Sequence, residues 1–244
     1  MKALVLSDLH LEFEPFQPPT LDVDLVILAG DIHKGIKGVK WANDHFSVPV
    51  LYVPGNHEYY SGHIDYTLEK MRAASANHAQ VHVLDRDSVV LGSIRFLGAT
   101  CWTDYTSGSD VSRAMAVARD CMNDFKLIRA EGRYRKLRPD DLVSRNHLAR
   151  EWLAELLAVP FNGKTVVISH HCPLPNVAGG GSDGALAASY TNNWPSLVDQ
   201  CDFWVFGHTH HPIDVTLGKC RLISNPKGYP CETTGFEPAK IIEF

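Results

Sequence analysis

The chain has 244 residues, 45% hydrophobic and 21% charged, with a formal net charge of -5. This balance fits one globular domain with a sizeable core, and the mild acidity argues against a nucleic-acid or membrane binder, either of which would cluster Lys and Arg. No apolar run approaches the roughly 18 residues that cross a bilayer. The six cysteines are scattered without a C-x-x-C pair, and Met1-Lys2 leads into residues 3–6 with no signal-peptide core, so a cytoplasmic protein with reduced thiols and no membrane partner is expected.

Residues 3–6, 25–29 and 50–53 are short unbroken apolar runs, the pattern of strands buried on both faces. They end in Ser7-Asp8-Leu9-His10, Gly30-Asp31-Ile32-His33 and Gly55-Asn56-His57-Glu58. Helices fit near 35–46 and 64–77, and strands alternating with helices predict a parallel or mixed sheet. Residues 81–84, 88–91 and 94–97 read as a meander of short strands with polar turns. Residues 101–138 are polar, with a basic cluster at Arg129, Arg133, Arg135, Lys136 and Arg138. A helix then starts at Pro139-Asp140-Asp141, with Leu142, Ala149, Trp152, Leu153, Leu156 and Leu157 on one face. Segment 101–160 is expected to be a partly helical insertion within a single domain spanning 1–244.

Another buried strand, 165–169, ends in His170-His171. The glycine-rich run 179–184 is expected to be mobile. A short helix at 194–201 leads to the strand 203–206, which ends in Gly207-His208-Thr209-His210. Strands at 213–217, 220–223 and 239–242 close the chain, with a turn at 225–229.

Thirteen histidines require an account, and five strand ends supply one. Ligands bind at the carboxyl ends of strands in such sheets, and these ends carry Asp8 and His10, Asp31, Asn56, His170, and His208 with His210. Each residue alone has a plainer role, such as a helix cap, a turn or a satisfied core imidazole. Together they offer too many ligands for one ion and about enough for two. A mixed nitrogen and oxygen set suits Mn, Fe, Zn or Co better than Mg or Ca. Two ions ~3.5–4 Å apart form the clamp used for in-line phosphoryl displacement, and Asp31 lies centrally enough in the series to bridge them.

In order, Asp8-x-His10, Gly30-Asp31, Gly55-Asn56-His57-Glu58, His170 and Gly207-His208-Thr209-His210 resemble the signature of the calcineurin-like metallophosphoesterase superfamily. The resemblance implies an α/β fold, a four-layer α/β-β/α sandwich of two mixed β-sheets, and hydrolysis of phosphoester bonds by in-line attack of a metal-bridging hydroxide. It puts Asp8, His10, Asp31 and His210 on one divalent ion. Asp31, Asn56, His170 and His208 go on the other, with His170 preferred to His171 because the matching position directly follows the strand. It also implies that His57 is not a ligand but contacts the phosphate and assists catalysis together with the bridging Asp31. Glu58 is expected to hydrogen-bond a neighbour, and His33 and His211 to border the site.

Substrate choice must come from the surrounding loops. Besides Asn56 and His57, Trp102 and Tyr105 are candidates for stacking on a ring, and Arg129, Arg133 or Arg135 for a second phosphate. The plainer alternative is an amphipathic insertion with a solvated basic face. The expected substrate is a small phosphodiester or phosphomonoester. A nuclease is the main rival, disfavoured by the absence of a basic stripe. The branch that cleaves a lipid-linked pyrophosphate carries Arg where this chain has His57, and inactive scaffolds of the same fold lose that His or some ligands.

Overall fold

The structure is a computed structural model describing residues 1–132, 134–180 and 184–244. Arg133 and residues 181–183 of the glycine-rich run, for which mobility was expected, lie outside the described residues. Strands β1 (Lys2–Leu6), β2 (Leu25–Ala29) and β3 (Val50–Val53) pair in parallel, with helix α1 (Lys37–His45) between the last two. Helix α2 (Ile64–Ser75) returns the chain to β4 (Val81–Val83), which pairs in parallel with β3.

Residues 81–97 are not one meander. β4 is an edge of the first sheet, whereas β5 (Asp87–Leu91) and β6 (Ile94–Ala99) form an antiparallel hairpin at the edge of the second. Burial explains the split: β6 is buried throughout, while β5 is only half-covered, as suits an edge strand.

The next stretch builds α3 (Val111–Cys121), α4 (Asp124–Leu127), a small hairpin of β7 (Arg129–Ala130) and β8 (Arg135–Lys136), and α5 (Pro139–Ala158). The second sheet is completed by β9 (Lys164–Ser169), β10 (Phe203–Phe206) after the short α6 (Pro195–Val198), β11 (Ile213–Leu217) and β12 (Cys220–Ser224). Finally β13 (Ile241–Glu243) returns antiparallel to β1.

The two-residue period of a strand sorts side chains into layers. Ala3, Val5, Ile27 and Leu51 meet Phe96, Val166, Ile168 and Val205 between the sheets. Their neighbours Leu4, Leu6, Val26 and Leu28 face Val39 and Ala42 of α1 and Met71 of α2. On the far side, Val167, Trp204 and Phe206 face Leu153 and Leu157 of α5 and Leu197 of α6. The result is the expected α/β-β/α sandwich of two mixed sheets. Within segment 101–160, α5 thus serves as an outer layer of the second sheet. By contrast, Tyr105, Ala114, Phe125 and Ile128 form a separate cluster with Tyr59 and Ile64.

Among the described residues, no helix is long and apolar enough to cross a membrane. Leu153 is fully buried between α5 and the second sheet. Leu153→Ala is therefore expected to lower the unfolding free energy by about 2–5 kcal/mol. A lower urea midpoint at unchanged slope is the readout.

Candidate metal centre

Because β1, β2 and β3 are parallel in one sheet and β9 and β10 are parallel in the other, their carboxyl ends gather at one edge of the sandwich. Backbone contacts then lock the loops together. Asp8 N–H donates to Gly30 O at 2.9 Å, His10 N–H to Asp31 O at 2.9 Å, and Gly207 N–H to His170 O at 3.0 Å. His208 N–H donates to Asp8 Oδ1 at 2.9 Å, joining the two sheets.

The backbone bends sharply here. Asp8, His10, Asp31, His208 and His210 all adopt left-handed φ values, between 46° and 69°. L-residues enter that region at a cost, and such strain persists where surrounding structure enforces it, often at functional sites. Packing around Asp31 is equally constrained. A Cβ on Gly55 would lie 2.6 Å from Asp31 N, and one on Gly30 would lie 2.7 Å from His170 Cγ and 2.9 Å from Gly55 Cα. Glu58 fastens the same corner, accepting from Asp31 N–H at 3.0 Å, Ile32 N–H at 2.7 Å, Gly55 N–H at 2.6 Å and Tyr52 O–H at 2.7 Å. The expectation that Glu58 binds neighbouring groups agrees with this geometry.

Among the described residues, the donor atoms fall into three groups, of which one joins His10 to Glu12 and His57 and the other two resemble the expected coordination sets. Asp8, His10 and His210 bring one ligand atom each within 4.8 Å of one another, as do Asp31, His170 and His208. His10 Nε2 is 3.1 Å from His210 Nε2, and Asp8 Oδ1 is 3.6 Å from His210 Nε2. In the other group, His170 Nε2 is 3.1 Å from His208 Nδ1, 3.1 Å from Asn56 Oδ1 and 3.4 Å from Asp31 Oδ1. Asp31 Oδ2 reaches the first group, 3.9 Å from His10 Nε2.

Hydrogen bonds on the far side of each group assign the lone pairs. His170 Nδ1–H donates to Ala29 O at 2.9 Å, leaving Nε2 as a lone pair facing the cluster. His210 Nδ1–H donates to Glu232 Oε2 at 2.6 Å, with the same consequence for its Nε2. Asn56 Nδ2 donates to Asp124 Oδ1 at 2.9 Å and to Tyr60 Oη at 3.1 Å, which turns Oδ1 toward His170. Asp8 Oδ2, His10 Nδ1 and His208 Nε2 are buried without a hydrogen-bond partner.

Electron-pair donors that converge this way repel one another unless a cation lies among them, so the residues fit a pair of divalent ions. The electrostatics agree. Burial, together with Glu58 and Asp8, pushes the Asp31 carboxyl well above the usual carboxylate range. Burial also lowers the His170 imidazole to about 4 and holds His208 well below its ordinary value. Neutral imidazoles and a crowded carboxyl are the groups that cation binding relieves.

It is His170, not His171, whose ring nitrogen enters the cluster. His171 is buried with Nδ1 3.3 Å from Thr100 O, its ring packed on Trp102 and His208. His33 lies at the edge, 3.9 Å from Glu12, and His211 is exposed.

His57 stands beside the two groups with its backbone N–H on Asp31 Oδ1 at 2.8 Å. Its Nδ1 is 2.6 Å from Glu12 Oε1, and its Nε2 is 3.2 Å from Tyr229 Oη. Burial opposes ionisation of Glu12, but the imidazoles of His10 and His57 outweigh it and hold the carboxyl far below the usual range. An ionised Glu12 accepts the Nδ1 proton, which leaves His57 Nε2 free on the side of Tyr229.

Sequence reasoning missed Glu12, Tyr229, Glu232 and Asp124. Glu12, two residues past His10, carried a weak positional signal. Tyr229 and Glu232 come from a loop with no periodicity to mark them, and Asp124 opens the single-turn helix α4, too short to show one.

Two substrate-contact expectations are corrected. Trp102 is 3% exposed and Tyr105 fully buried. Positive φ at both residues turns the chain after β6 inward, so the rings pack against Tyr59 and the α3–α4 cluster. Neither they nor Arg129 line the cleft. Arg129 Nη1 bonds Lys126 O at 3.4 Å, and Arg135 is held by Asp141 at 2.7 Å and Glu131 at 2.6 Å. The cleft itself is about 540 Å³ and is lined by Asp31, Asn56, His57, His208 and His210, together with Tyr60, Tyr190 and Tyr229. The aromatic surface expected from Trp102 and Tyr105 is thus provided by tyrosines from other loops.

A solved phosphopantetheinyl hydrolase from Mycobacterium tuberculosis superposes with a TM-score of 0.73 at 18% identity, covering 94% of this chain and 90% of that one. A structure assigned as a candidate 5'-nucleotidase from Staphylococcus aureus gives 0.54 at 14% identity, over 92% of this chain and 48% of that one. A protein of Acanthamoeba polyphaga mimivirus, L509, is 23% identical, over 98% of this chain and 95% of its own length. The sequence model of the calcineurin-like phosphoesterases matches residues 1–212, a span that runs from β1 past His210 and takes in every strand end described above. By that match the chain belongs to the calcineurin-like phosphoesterase family.

Proposed function

We propose that the protein is a dinuclear metal-dependent hydrolase of a small phosphodiester or phosphomonoester. Asp8, His10, Asp31 and His210 would hold one divalent ion, and Asp31, Asn56, His170 and His208 the other. Mn, Fe, Zn or Co suits this mixed donor set. When bound, such ions supply a nucleophile at neutral pH and a positive clamp for phosphoryl charge.

The chain's own residues supply the rest. Glu12 fixes the tautomer and orientation of His57, whose Nε2 faces the cleft beside Tyr229. Once Nε2 has also taken up a proton, His57 gives that proton to the departing oxygen and returns to the neutral ring, its Nδ1–H still on Glu12. Asp124 and Tyr60 hold Asn56 with its carbonyl oxygen toward the metal centre. Glu232 orients His210 in the same way.

The observation that carries this reading is the convergence of lone pairs from Asp8, His10, Asp31, Asn56, His170, His208 and His210, within a family of phosphoesterases. It is tested by chelation followed by reloading with Mn, Zn, Fe, Co or Mg. The assay uses bis(p-nitrophenyl) phosphate, p-nitrophenyl phosphate and a phosphopantetheinyl ester, the group in the mycobacterial protein's name. Turnover should vanish on chelation and return with an ion that accepts nitrogen ligands, and elemental analysis should find two ions per chain. A protein that binds no metal under any of these conditions would refute the proposal. Cleavage of the bis ester without the monoester marks a diesterase, and the reverse marks a monoesterase.

A further inference from the structure

The described residues lining the cleft include no Lys or Arg. Its two carboxylates are already engaged: Asp31 belongs to the metal centre, and Glu232 Oε2 accepts from His210 Nδ1–H at 2.6 Å and from Tyr229 N–H at 2.8 Å. Next to them is an apolar wall. Met122 follows the end of α3, and α3 packs on the 3₁₀ turn Gly184–Ser189 that carries Leu186. Tyr190 continues this wall to the metal centre, its ring centroid 4.9 Å from that of His208. Of the basic residues considered for a second phosphate, the two described ones are spent elsewhere, Arg129 on a backbone carbonyl and Arg135 on Asp141 and Glu131.

We propose that the cleft selects a substrate with a single phosphate whose ester arm is uncharged and partly apolar, held by Met122, Leu186 and Tyr190. This rests on the phosphoesterase reading and names the class of ester it acts on. Two ions neutralise the scissile phosphate. A second anionic group on the arm would lie near Glu232 with no Lys or Arg among the described lining residues to offset it, a like-charge cost that disfavours nucleic acid and nucleotides bearing further phosphates. An apolar arm instead removes the wall and itself from water together.

The test uses two phosphodiesters with the same p-nitrophenolate leaving group, so that the chemical step is matched. One carries a benzyl arm and the other a 2-carboxyethyl arm. The benzyl ester should be favoured roughly 10-fold or more in kcat/KM, chiefly through KM. Calorimetry with the matching non-hydrolysable methylphosphonates should give the same order. Leu186→Lys and, from a separate element, Met122→Lys should each shrink or invert the ratio while metal content stays unchanged. If neither ester nor p-nitrophenyl phosphate turns over although two ions are bound, the phosphoesterase reading itself fails; if only the monoester turns over, the arm assignment alone is overturned. If both turn over with no preference, or with preference for the carboxylate, the arm assignment is overturned. It is equally overturned if both folded, metal-loaded variants leave the ratio unmoved.

Discussion

Asp31→Asn should lose both bound metal and turnover, the latter by on the order of 10³-fold or more. Asp31 is 2% exposed and reaches both groups of ligands, through Oδ1 to His170 and through Oδ2 to His10. Asparagine preserves the shape and still accepts the His57 N–H. It offers no negative charge to be shared by two cations. Misfolding does not explain the loss, because the stability of the chelated protein should move the other way. Burial, with Glu58 and Asp8 close by, raises the Asp31 carboxyl in the folded chain. A group with a raised folded pKa favours folding while protonated, and that contribution is lost as pH rises from the ordinary carboxylate value, about 4, through its folded value. After chelation, wild-type protein should therefore lose more thermal stability than Asp31→Asn does as pH is raised from about 4 toward neutrality. Elemental analysis and paired melting curves read both effects. Full metal content in the variant would remove Asp31 from the centre of the site.

The strands could be read from the sequence because burial on both faces demands unbroken apolar runs, and residues 3–6, 25–29, 50–53, 165–169 and 203–206 satisfy that demand. The site was readable for a related reason: a parallel sheet brings its carboxyl ends together whatever the loops do. Where the two sheets divide was hidden. β4 and β5 are separated by three residues yet belong to different sheets, a choice made by cover from α2 and β3 that no local pattern records. Trp102 and Tyr105 misled for the opposite reason. An aromatic residue near a strand end has the composition of a binding loop and of a core plug alike, and only the positive φ that turns it inward separates the two. Glu12, Asp124, Tyr229 and Glu232 act by orienting other groups across 22 to 172 residues of separation between partners, apart from near contacts, so spacing carries no trace of them.

His57→Ala should keep both ions and lose turnover by roughly 10²–10⁴-fold. His57 Nδ1 is occupied by Glu12 at 2.6 Å, and its Nε2 is 3.2 Å from Tyr229 Oη and 3.8 Å from Asp31 Oδ2. It therefore stands beside the ligands with one nitrogen directed away from them. If it delivers a proton to the departing oxygen, the loss must depend on how much that oxygen needs one. The defect should be largest for alkyl esters and smallest for p-nitrophenyl esters, whose leaving group departs as a stable anion. Glu12→Gln separates orientation from proton delivery. The amide can still accept from Nδ1–H but no longer offers a charge, so a loss nearer 10-fold to 100-fold is expected, with metal content intact and the same ordering of leaving groups. A purely structural role for Glu12 would lower alkyl and p-nitrophenyl turnover equally. Full activity in His57→Ala, with two ions bound, would move the proton donor elsewhere, and Tyr229, already in contact with His57 at the cleft, would be the next residue to replace.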